Sequence, residues 1–124
     1  MKLVIKGDTP SQKNRKIISV NRATGRPFLR TADKVKEWQE SANIQLLQQW
    51  KNLKVTEYPI DVNVVIYYGS MRRHDLDNAL GSIMDALATA KIIEDDDTTH
   101  ISQITIQHGG YDKVNPRAEI FIED

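Results

Sequence analysis

The sequence is 124 residues long, one domain's worth of chain, with 40% hydrophobic and 27% charged residues and no cysteine. That excludes a disulfide framework, a thiolate metal site and a cysteine nucleophile, and no run of about 18 apolar residues is present to span a membrane. The zero net charge conceals a division: residues 1–54 carry twelve Lys/Arg against four acids, while residues 55–124 carry five against thirteen.

Such asymmetry suits a polyanionic partner for the first part and cations for the second, unless the two parts merely neutralise each other on folding. The N-terminal MKLVIKGDTP alternates and then turns, unlike the unbroken apolar core of a signal peptide. A cytoplasmic protein with no membrane partner is the expectation.

Residues 2–6 (KLVIK) predict a short strand, ended by the turn signal Gly7-Asp8. Residues 10–30 are basic and polar, a long loop with a small hairpin of 16–20 against 27–29, and loops of that length tend to be functional. Thr31 is the expected N-cap of a helix over 32–52, whose buried face holds Val35, Trp38, Ala42, Leu46 and Gln49/Trp50, widened by Ile44 and Leu47. Pro59 opens a strand over 60–68, and Gly69-Ser70 ends it. A second helix over 76–90 carries Leu76, Leu80, Ile83, Met84 and Leu87 as one apolar stripe. A strand over 99–108 follows, with a bulge expected near Gln103 because its apolar positions change phase. Gly109-Gly110 predicts a turn, and residues 117–122 the last strand.

This order predicts a single α+β domain over residues 1–124. Its two layers are a mixed, mostly antiparallel sheet and two helices on one face.

The chemistry concentrates in RRHDLDNALGSIMDALATAKIIEDDD, residues 72–97. Capping accounts for one aspartate at a helix start, and a solvated acidic turn accounts for an isolated run of acids. Asp75 and Asp77 converge if the chain enters the helix between them, whereas Asp95-Asp96-Asp97 lie past its end, where the dipole disfavours anions. Two unit charges 4 Å apart repel by about 4 kcal/mol at an effective dielectric of 20, so a convergence of these groups calls for a cation. Oxygen-only ligands favour Mg²⁺, with Mn²⁺ able to substitute, and suit phosphodiester hydrolysis. EF-hand, P-loop, HExxH and GxSxG patterns are absent from the sequence. His74, His100 and His108 have no helical ligand spacing.

DLDNALGSIMDAL followed by IIEDDD resembles the RusA family of Holliday junction resolvases, whose pattern is Asp-x-Asp-Asn, a helix bearing Asp-Ala-Leu, then an Asp-Asp pair. PSQKNR and the Trp38-bearing first helix extend the resemblance over most of the chain. It implies a Mg²⁺-dependent homodimeric endonuclease that acts on branched DNA in recombination and repair. By position it implies that Asp75, Asp77 and Asp96 are catalytic, with Asp95 joining them as a metal ligand, and that Asn78 and Asp85 support the motif. Gly81 stands where RusA carries a lysine, so that charge is vacant or moved to Arg72, Arg73 or Lys91. Lys13, Arg15, Lys16, Arg22, Arg26, Arg30, Arg72 and Arg73 are the expected DNA contacts, gripping phosphates without reading sequence. The alternatives are a DNA-binding module that lost turnover and a small-molecule phosphoesterase with an enclosed pocket.

Overall fold

Strand β4 (Ile60–Tyr68) sets the architecture, because Ile60, Val62, Val64, Ile66 and Tyr68 alternate onto one buried face of the sheet. The computed structural model describes residues 1–11, 16–50 and 55–123. In chain order they form β1 (Lys2–Lys6), β2 (Lys16–Val20), β3 (Pro27–Thr31), α1 (Asp33–Trp50), β4, α2 (Leu76–Thr89), β5 (Ile101–Tyr111) and β6 (Arg117–Glu123). The main sheet has the order β1-β6-β4-β5, antiparallel at β1–β6 and β6–β4 and parallel at β4–β5, while β2 and β3 form a separate hairpin. Both helices cover the face that β4 shares with Leu3, Ile5, Ala118, Ile120 and Ile122. The α+β class and the mixed, mostly antiparallel sheet are as the sequence predicts.

Helix α1 buries Val35, Trp38, Ala42 and Leu46, but Ile44 and Leu47 are more than half exposed and do not widen its core face. That flank belongs instead to Gln45 and Gln49, whose amides bond the backbone of β1. The helix starts at Asp33, with the Lys36 N–H donating to the Ala32 carbonyl at 2.9 Å, one residue later than the sequence places it. In α2, Ile83, Met84 and Leu87 are buried, and Leu76 and Leu80 pack partly buried against the core. The Ser82 hydroxyl donates to the Pro10 carbonyl at 2.8 Å and pins the start of the basic loop to α2.

Strand β5 corrects the expected Gly109-Gly110 turn. It runs through both glycines to Tyr111, and the chain reverses over Asp112–Pro116, where the Asp112 carboxylate accepts the Asn115 N–H at 3.0 Å. The pairing with β4 slips twice, skipping Ser102, next to the Gln103 position expected, and skipping Gly109. Gly110 has φ +136°, open to glycine, and a Cβ on Gly109 would stand 2.7 Å from Tyr67 Cζ and Val65 Cγ1. Gly109→Ala is therefore expected to cost about 1–3 kcal/mol, the range for overpacking, read as a lower urea midpoint with an unchanged slope.

Candidate active site

Helix α2 carries one end of the motif at its start and the other just past its finish. Asp75 is the N-cap residue, with φ −94° and ψ 113°, yet its side chain makes no capping hydrogen bond. Capping therefore does not account for this carboxylate. Asp75 instead lines a cleft of about 720 Å³ with Asp8, Thr9, Lys34, Trp38 and Arg73 among its walls. Asn78 Nδ2 reaches Asp75 Oδ2 and Asp77 Oδ1 at 3.5 Å each, so its amide stands between the two carboxylates. That geometry fits Asn78 as a brace.

Asp8 is a residue the sequence reading passed over. Its Oδ1 accepts the Gly69 N–H at 2.8 Å, tying the end of β1 to the end of β4 beside Asp75. Burial, then the charges of Asp8 and Asp75, push the Tyr68 hydroxyl up to about 12. Tyr68 therefore stays protonated and stacks on the His74 ring at 3.6 Å. The signal available in the sequence was the polar turn Gly7-Asp8 after a strand, with nothing to say which strand it would meet.

Arg72 and Arg73 are exposed at the cleft mouth and form no ion pair with any described residue. Arg22 and Arg26 lie exposed around the tip of the β2–β3 hairpin. Arg30 is held by Asp33 at 2.8 Å and by the Ser19 hydroxyl at 3.2 Å. Lys13 and Arg15 lie outside the described residues, as does the side chain of Lys16. Asp85 is turned toward α1, in a small cleft of about 140 Å³ with Gln39 and Asn43, and does not join Asp75 and Asp77. Gly81 is half-buried within α2.

The acidic run after α2 has an inner and an outer pair. His100 clasps the outer pair, with Nδ1 2.6 Å from Asp97 and Nε2 3.0 Å from Glu94. The inner pair is left outward: among the described residues Asp95 accepts only the Asp96 N–H, at 2.8 Å, and the Asp96 carboxylate has no hydrogen bond. Hydrogen bonds from Thr99 and His100 pull the Asp97 carboxyl down to about 2, and those to Asp97 and Glu94 raise the His100 imidazole.

The two shifts set a pH window of opposite edges. The raised histidine contributes stability fully below its unfolded value near 6.5 and loses it as pH climbs through its higher folded value. The lowered aspartate contributes above its unfolded value of 3.8 and loses this as pH falls toward 2. Amide exchange of residues 94–100 is expected to be slowest between about pH 4 and 6.5 after correction for intrinsic rates, and His100→Ala to abolish that optimum.

The expected meeting of Asp75 and Asp77 with Asp95 or Asp96 does not occur within one chain. The fourteen residues of α2 separate the clusters by about 20 Å. The β4 strand gives the same result, since Tyr68 at its end touches His74 while Tyr58 before its start bonds the Glu94 N–H. Strand β5 does run back along α2, but it returns His108 and Tyr111, not the acids, to the Tyr68 end. Among the described residues no three His, Cys, Asp or Glu side chains stand close enough to hold a metal ion. The donor set is oxygen-only and chemically right for Mg²⁺, but half of it is missing at each end.

No curated protein matches the chain in a comparison of individual sequences. No helix among the described residues is long and apolar enough to cross a membrane. The family model for endodeoxyribonuclease RusA matches residues 8–123, from the cleft aspartate to the end of the last strand, and the chain belongs to that family.

Proposed function

We propose that this protein is a divalent-metal-dependent endonuclease that resolves four-way DNA junctions as a homodimer, cutting paired phosphodiesters in recombination and repair. The observation that carries the proposal is the division of the motif carboxylates between the two ends of α2, with no Lys or Arg among the described residues ion-paired to either set. A two-fold dimer whose α2 helices run oppositely brings Asp75 and Asp77 of one chain toward the partner subunit's Asp95 and Asp96, twice over. Two such centres match a junction, which presents two equivalent strands.

Asp75 and Asp77 with the partner subunit's Asp95 and Asp96 would hold a Mg²⁺ or Mn²⁺ ion, which would offset their charge and supply water activation there. The chain's own groups do the rest. Arg72 and Arg73 hold the scissile phosphate in the charge-assisted geometry that guanidinium favours. Asn78 keeps Asp75 and Asp77 apart and oriented. Arg22 and Arg26 grip flanking phosphates, so binding falls steeply with added salt. Arg72 and Arg73 stand in for the charge that Gly81 does not carry.

The test is incubation of labelled four-way junction with the protein in Mg²⁺ or EDTA, beside Asp77→Asn. Paired nicks in Mg²⁺ alone are expected, with Asp77→Asn reducing the rate more than about 100-fold, beyond the loss caused by removing a ligand's supporting partner. Salt-sensitive binding without cleavage under any divalent ion would make the chain a binding module. No binding to junction or duplex at low salt would sink both readings.

A further inference from the structure

Four aromatic rings gather at the end of the sheet next to Asp75, and a register slip puts two of them there. In a regular strand, residues three apart point to opposite faces. His108 pairs with Ile66 and Tyr111 with Tyr68, while Gly109 between them is skipped. Both side chains therefore fall on the face that Ile66 and Tyr68 occupy. The His108 and Tyr111 rings meet edge to face with centroids 4.9 Å apart, and Tyr68 lies 6.1 Å from His108. Tyr68 in turn carries the His74 ring at 3.6 Å, with the two planes 2° from parallel.

These rings line a cleft of about 350 Å³, within the roughly 300–1,000 Å³ of small-molecule sites. Tyr68 is buried, but His74, His108 and Tyr111 are exposed, Tyr111 by 49%. Rings this exposed bury little apolar area, so the core does not account for their grouping. Arg72 and Arg73 line the same cleft and also the larger one that holds Asp75, and neither has an ion pair with a described residue. Exposed π faces beside unpaired guanidinium groups suit a planar ligand joined to an anion. A nucleotide is such a ligand.

We infer that this cleft takes one unstacked nucleobase, laid against the His74 and Tyr111 rings, from the nucleotide whose phosphate Arg72 and Arg73 hold. The inference rests on the proposed function for its DNA and adds what the protein recognises in it. A base within duplex has both faces covered and must leave the stack to enter a cleft. At a branch point the stack is already interrupted, so a junction fills the cleft at smaller cost than duplex does. Every base has a π face, so the rings select structure and tolerate sequence.

The test varies protein and DNA together, with Ca²⁺ in place of Mg²⁺ so that binding is read. Junctions carry an abasic residue at one of the four nucleotides nearest the branch point, each position in turn. Wild-type affinity is expected to fall at least 10-fold at one position. Tyr111→Ala is expected to lose a similar factor on intact junction, and Tyr111→Phe to keep it. Tyr111→Ala on that abasic junction costs nothing further, because one contact is removed twice. The salt slope of Tyr111→Ala stays that of wild type, whereas Arg72→Gln lowers it by about one. The abasic arm leaves the protein unaltered, so it reads the cleft even where Tyr111→Ala fails to fold.

Equal binding of intact and abasic junctions at every position overturns the inference, as do additive losses from Tyr111→Ala and the abasic residue. A Tyr111→Ala variant that sediments as a smaller species and binds DNA undiminished assigns the cleft to a second copy of the chain, and overturns it too. Cleavage separates the two claims. Junction bound with the expected pattern but never cut in Mg²⁺ sinks the proposed function alone. Junction cut in Mg²⁺ yet indifferent to both changes sinks the base cleft alone.

Discussion

Co-expressed Asp77→Asn and Asp96→Asn chains regain junction cleavage that neither variant shows alone. In a mixed dimer with centres built across the two-fold, both substitutions fall in one centre and leave the other whole. Random assembly then restores about a quarter of the centres, each nicking a single strand, so nicked junctions accumulate while paired products do not. If each chain instead built its own centre, every centre in the mixture would carry one substitution and nothing would return. Gel analysis of singly and doubly end-labelled junctions reads the difference. The same outcome follows for Asp75→Asn with Asp95→Asn, but not for Asp75→Asn with Asp77→Asn, which lie at one end of α2.

The largest loss of stability is expected at Leu87. It is fully buried where α2 crosses the sheet, and α2 is the strut that fixes the spacing of the two carboxylate sets. Leu87→Ala removes the side chain and leaves a cavity, costing about 2–5 kcal/mol of the roughly 5–15 available to a domain of this size. Leu76→Ala, half-buried at the helix start, should cost less. Ile44→Ala on the exposed face of α1 should stay within about 0.5 kcal/mol. Urea denaturation of the three variants orders them.

Most of the fold was legible because its central elements follow local rules. The strand at 60–68 is rich in β-branched and aromatic residues between Pro59 and Gly69, and the helix after it carries an uninterrupted stripe. What was misread at Gly109-Gly110 was tertiary. Two adjacent glycines are a turn signal, but here one yields space to the Tyr67 ring and the other takes a positive φ beside the second register slip of the β4–β5 pairing. Ile44 and Leu47 fit the periodicity of a core face, and the competing demand of the β1 edge for the neighbouring glutamines could not be read from it. At the site, the motif residues were legible and their distance was not. The helix length already implied about 20 Å, but whether a later strand of the same chain returns the acids across that distance is decided by strand order, as is the pairing of Asp8 with Gly69.

The glutamine pair on β1 has one more consequence, for valency. A sheet with two adhesive edges can add chains without limit, and each addition exposes another site for growth. With Gln45 and Gln49 bonded to the β1 backbone, a newcomer strand is refused on that side, so this sheet cannot grow from both edges, and replacing both glutamines with leucine would reopen the β1 edge.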